Sequence, residues 1–127
     1  MASRMFSRLQ VLGNERKDLT GSFQPNGAAT SVSNVFGRGF SVAHTAGTNT
    51  YTITLQDKYF NYDSCWVQAS GPTLLFAQVT AEPDVKNAQA ITVGLFTAAG
   101  AAATDQAFNV NQRVHFAIRV VNTTGNW

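Results

Sequence analysis

Few side chains in this sequence could do chemistry, so their spacing is the first thing to weigh. There are two histidines, His44 and His115, one cysteine, Cys65, and seven acidic residues. A catalytic histidine needs a nucleophile or acid within hydrogen-bond reach and a third group to orient it. His44 ends one alternating run, GFSVAH, and Asp57 lies past the end of the next, YTITLQ. Paired as a hairpin, these runs would hold His44 and Asp57 at opposite ends, and His44 is expected to point outward or to line the loop. His115 falls on the polar side of RVHFAIRVVN, together with Arg113 and Arg119. No histidine or cysteine stands in HxxxH or CxxC spacing, so no metal site is expected. Cys65 lies in the apolar run SCWVQA and reads as a buried thiol rather than a nucleophile. Asp57, Asp63, Glu82, Asp84 and Asp105 fall at strand ends or turns, where solvated acids belong. Glycoside hydrolysis would instead need two acids set across a cleft. Gly37-Arg38-Gly39 lacks the helix and lysine of a phosphate loop, and a bend or bulge between strands accounts for both glycines. No catalytic residue and no cofactor are expected.

The elements that would position these residues read almost entirely as strands. In YTITLQ, Tyr51, Ile53 and Leu55 alternate with Thr52, Thr54 and Gln56, the period-two pattern of a half-buried strand. GFSVA puts Phe40 and Val42 on one face, and the small polar joint HTAGTNT predicts a hairpin with a loose loop. CWVQAS ends at Gly71-Pro72, TLLFAQVTAE stops at Pro83, and AITVGLFT runs to Ala98-Ala99-Gly100. RVHFAIRVVN carries Val114, Phe116, Ile118 and Val120 on one side. LTGSFQP and VSNVFG are shorter strands upstream, and AAGAAATDQAF reads as a long loop. DKYFNYDSC reads as a turn or a single helical turn, with Tyr59, Phe60 and Tyr62 clustered near Trp66. That cluster is expected at a core edge or subunit contact, with a sugar platform as the alternative. Seven to eight strands joined by turn chemistry predict an all-β fold, an antiparallel β-sandwich or jelly-roll-like domain over residues 19–127.

Residues 1–18 differ in kind. Met5, Phe6, Leu9, Val11 and Leu12 are interspersed with Arg4 and Arg8, and a charged hinge with Arg16 and Lys17 follows. This predicts an N-terminal extended arm whose apolar residues need a partner surface, with an ordinary N-terminal strand packed on its own domain as the alternative. The arm has no long apolar core, so it reads as neither a signal peptide nor a membrane span, and the chain is expected to be made in the cytoplasm. Asn122-Thr123-Thr124 then reads as a chance match to a glycosylation triplet. The net charge of +2 is that of the first 20 residues, with no basic stripe along the rest, so no nucleic-acid partner is expected. Charged residues make up 13% of the chain, about half the usual level. Such a surface suits a protein that sits against other protein.

The block GRGFSVAHT, a Gly/Thr loop, YTITL and QDKY, together with GSFQPNG upstream and RVHFAIRVVNTT downstream, resembles small structural proteins of tailed bacteriophages. The likeness runs over roughly residues 20 to 124. It implies a capsid decoration, or cement, protein. Such a protein is a small β-sandwich bound as an oligomer, a homotrimer rather than a homodimer, on the outer surface of the icosahedral head of the virion. There it staples neighbouring subunits of the major capsid protein, with no catalysis or cofactor. On this reading the partner-binding residues are Arg4, Met5, Phe6, Arg8, Leu9, Val11, Leu12, Arg16 and Lys17. The alternative is a tail-fibre or head-fibre receptor-binding β-domain that displays the Tyr59–Trp66 aromatics outward.

Overall fold

A computed structural model of the chain describes residues 16–26, 32–103 and 111–121. The arm residues Arg4, Met5, Phe6, Arg8, Leu9, Val11 and Leu12, Asp105 and the Asn122 triplet lie outside these described residues. Among the described residues, eight strands form two four-stranded antiparallel sheets. They are β1 (Arg16–Gln24), β2 (Ser33–Gly37), β3 (Phe40–His44), β4 (Thr50–Leu55), β5 (Asn61–Ser70), β6 (Leu75–Val79), β7 (Ala90–Thr97) and β8 (Arg113–Val121). One sheet has the order β2-β1-β8-β5 and the other β3-β4-β7-β6. Among the described residues there is no helix.

Alternation explains the core. Leu19 and Phe23 of β1 and Val114, Phe116, Ile118 and Val120 of β8 face inward from the first sheet. Tyr51, Ile53 and Leu55 of β4 and Ile91, Val93 and Leu95 of β7 meet them from the second. β8 lies between two strands, so its period-two pattern is the cleanest in the chain: one side is fully buried and the other carries Arg113, His115, Ala117 and Arg119.

The chain crosses from the first sheet to the second at Gly37-Arg38-Gly39, and the two glycines have positive φ, 123° and 87°. The crossing swings Phe40 inward, where its ring meets Phe116 edge to face with centroids 4.7 Å apart. Phe40 also covers Gly21, the register partner of Phe116. A Cβ added to Gly21 would lie 2.3 Å from the Phe40 ring. The GRGF segment is thus a joint in the sandwich, as the bend reading of its glycines anticipated.

Several expectations are corrected. Arg16–Gln24 is strand β1, so residues 16–18 are part of the sheet and not a hinge. Arg16, Lys17 and Asp18 pair with Val121, Val120 and Arg119. DKYFNYDSC is neither a turn nor a helical turn over its second half, because Asn61–Cys65 open the ten-residue strand β5. β6 stops at Val79, short of Pro83; the chain then bends so that Asp84 bridges Ala90. His44 does not point outward. It lies on the core side of β3 behind Phe40 and Val42, is 7% exposed, and stacks on Tyr51 at 4.2 Å and 14°. Its Nε2–H donates to the Thr48 carbonyl at 2.8 Å, so it also fastens the loop that joins β3 to β4.

Tyr51 ties this end of the sandwich to β1's exit, because its hydroxyl oxygen accepts the Asn26 N–H at 3.1 Å. Burial pushes the Tyr51 phenol up to about 12, against a partly offsetting effect of that hydrogen bond. A folded-state pKa raised above an unfolded value of about 10 contributes stability that is complete below pH ~10 and lost as pH rises toward the folded value. Urea midpoints are therefore expected to fall between about pH 10 and pH 12. Tyr51→Phe is expected to flatten that decline and to cost about 1 kcal/mol at neutral pH through the lost hydrogen bond. An unchanged alkaline slope in Tyr51→Phe would contradict the assignment.

Candidate functional site

The outward face of the first sheet carries a groove lined by exposed aromatic and polar side chains. Register fixes its rows. Phe36 of β2 pairs with Ser22 of β1, Ser22 with His115 of β8, and His115 with Gln68 of β5. One row along, Thr20 pairs with Ala117 and Ala117 with Trp66. Phe36 and Trp66 stand as walls, 64% and 51% exposed. The small residues Thr20, Gly21 and Ala117 lie between them, leaving an open groove of about 590 Å³ lined also by Ser22, Gln68, Ser70 and His115.

Trp66 faces this groove because of one irregularity. The register of β5 against β8 shifts between Tyr62 and Ser64, so Asp63 is an extra residue. Tyr62 then faces the core with Cys65, Val67 and Ala69, while Ser64, Trp66 and Gln68 face out. Plain alternation would put Tyr62 and Trp66 on one side. The aromatic cluster expected near this turn is thereby split. Tyr59 is buried in the core and bonds Val85 through the backbone. Tyr62 donates to Glu82 at 3.2 Å, Phe60 lies under the Lys86 ammonium, and Trp66 stands apart on the sheet face.

Charges around the groove are tied down. The Arg113 guanidinium lies over the Phe36 ring at 4.6 Å and donates to Ser22 Oγ and to the Asn34 carbonyl. Arg119 donates to both carboxylate oxygens of Asp18, at 2.7 and 3.1 Å. That hydrogen bond, followed by the charge of Arg119, holds the Asp18 carboxyl below its usual range against slight desolvation. Arg16 pairs with Asp63 at 3.1 Å. Of the nine arm residues expected to bind a partner, only Arg16 and Lys17 are described. Arg16 is committed to Asp63, and Lys17 is exposed on β1.

A serine and a histidine do meet here. Ser70 Oγ and His115 Nε2 are 2.9 Å apart, a contact across β5 and β8 that sequence spacing could not reveal. Nucleophilic catalysis would also need a group orienting the imidazole and donors for a developing oxyanion. Among the described residues no carboxylate reaches the His115 ring. The hydrogen-bonded pair lines one edge of the groove. His44 and Asp57 lie at opposite ends of the β3–β4 hairpin, where Phe40 pairs with Leu55 and His44 with Tyr51. Cys65 is half-buried, and burial pushes its thiol up, away from the reactive thiolate. Asp84 accepts the backbone N–H groups of Lys86 and Asn87 and so closes a turn. Among the described residues no three of His, Cys, Asp and Glu gather as a metal ion would require.

A second exposed patch lies on the outward face of the other sheet. Phe76 of β6 pairs with Phe96 of β7, and Leu74 lies immediately before β6. Leu74 and Phe76 are 63% and 53% exposed. Phe96 lies over Gly94, where a Cβ would come 3.1 Å from its ring.

Comparison with protein-family models, with curated proteins and with solved structures found no match.

Proposed function

We propose that this chain is a non-catalytic structural protein of a phage virion, a decoration protein that binds the outside of the head and staples neighbouring major capsid subunits. The observation that carries the proposal is the Leu74–Phe76–Phe96 patch on a weakly charged sandwich. Exposed large hydrophobics that adjoin one another mark a protein contact, whereas scattered ones mean little. The resemblance of the sequence block from Gly37 to Tyr59 to phage structural proteins points to the same reading. The apolar patch seats on the capsid lattice, and the arm preceding Arg16 reaches a neighbouring subunit. Many copies on one shell let modest contacts add by avidity. Self-association, as a trimer rather than a dimer, would cover edge strands such as the ten-residue β5.

Because Arg16–Gln24 is strand, the deletion that tests the arm and spares every described residue removes residues 2–15. That deletion and Phe76→Ser are each expected to weaken binding to phage heads assembled without this chain by roughly tenfold, the worth of one well-packed apolar anchor. Full-strength binding by both variants would refute the assigned contacts. The second reading, a receptor-binding domain of a fibre, is favoured by the Phe36–Trp66 groove, which the shell-binding reading leaves unused.

A further inference from the structure

We infer that the groove between Phe36 and Trp66 is a binding site for an uncharged oligosaccharide. This goes beyond the capsid reading and does not rest on it. Three features of the groove specify the ligand. Its walls are exposed aromatic rings, which offer flat apolar faces to the C–H faces of sugar rings. Its lining contains no Asp, Glu, Lys or Arg, and the neighbouring charges are engaged: Arg119 with Asp18, Arg16 with Asp63, Arg113 with Ser22, Asn34 and the Phe36 ring. An uncharged ligand therefore complements it better than an anion or a cation. Its polar groups are hydroxyls and an amide, from Thr20, Ser22, Gln68 and Ser70, with the His115 imidazole. Hydroxyls and amides both donate and accept, which matches the mixed hydrogen-bonding demand of a polyol. The Gln68 amide and the Thr20 hydroxyl, both exposed, have no hydrogen-bond partner among the described residues.

Size points to an oligosaccharide rather than a single sugar. Phe36 and Trp66 stand on the two outer strands of the sheet, three strand spacings or about 14 Å apart. One ring could not touch both walls, whereas a short chain of rings could stack on each and place its hydroxyls over the floor. The groove's volume of about 590 Å³ lies within the usual range for small-ligand sites.

The test uses the full chain and a panel of uncharged hexaoses (cellohexaose, maltohexaose, xylohexaose, mannohexaose and hexa-N-acetylchitohexaose), read by titration calorimetry. At least one is expected to bind. Trp66→Ala should weaken that binding roughly tenfold, the loss of one stacked ring. Trp66→Phe should restore most of it, showing that the ring and not the fold is at issue. Phe76→Ser, on the other sheet, should leave sugar binding unchanged, and Trp66→Ala should leave binding to phage heads unchanged. The two surfaces therefore fail separately. The inference is overturned if no hexaose binds, or if binding survives Trp66→Ala. It is equally overturned if the chain self-associates and Trp66→Ala makes it monomeric, since a second copy would then cover the groove.

Discussion

Replacing Phe116 with alanine should destabilise the domain by about 3–5 kcal/mol, a large part of the roughly 5–15 kcal/mol that holds a typical domain folded. Phe116 is 1% exposed and sits mid-strand in β8, between Gly21 of β1 and Val67 of β5. Its ring is the face against which Phe40 packs edge-on, so truncation empties the space where the two sheets meet beneath the crossing joint. The strands on either side are hydrogen-bonded along most of their length and can close that space only partly. Urea unfolding followed by tryptophan fluorescence should show a lower midpoint with an unchanged slope. A loss below about 1 kcal/mol would mean that the core does not pass through this contact.

Gly37→Ala should be comparably damaging, for a different reason. At φ 123° a side chain is strained by about 1–3 kcal/mol whatever the surrounding space. The space is also absent: an added Cβ would lie 2.6 Å from the Phe40 ring and 2.7 Å from the Thr20 carbonyl oxygen. Overpacking of this kind costs a further ~1–3 kcal/mol. The two substitutions should couple, because removing the Phe116 ring gives Phe40 room to retreat. The double variant should therefore be less destabilised than the two single losses combined, although the contact with the Thr20 backbone persists. Stability of Gly37→Ala within about 0.5 kcal/mol of the parent, or strict additivity, would contradict this picture of the joint.

What could be read from the sequence was what alternates without interruption. β4 follows period two from end to end, and β7 and β8 keep it except at Gly94 and Val121, which are buried on the outward side. The limits of β1 were hidden because Arg16, Lys17 and Asp18 look like a solvated hinge. They pair as strand because Arg119 and Asp63, distant in the chain, neutralise Asp18 and Arg16. His44 follows the parity of Phe40 and Val42 into the core, and its polarity alone argued otherwise. A loop carbonyl four residues on satisfies its ring nitrogen.

The groove was hidden for two physical reasons. The extra residue Asp63 reverses the facing of everything after it in β5, so Trp66 turns away from Tyr62. The strand order β2-β1-β8-β5 inserts the last strand between the first and the fifth, bringing Ser70 to His115 and setting Phe36 and Trp66 over one floor. Local pattern carries no trace of which strands will be neighbours.

The most direct test of the central claim, that this sandwich acts by adhering to a viral shell, is a sedimentation assay of the intact chain with phage heads assembled without it. Saturable binding, with repeating density on the outer surface of the heads by electron microscopy, is the expected result. A chain that stays in the supernatant at every concentration, leaving the heads bare, would contradict it.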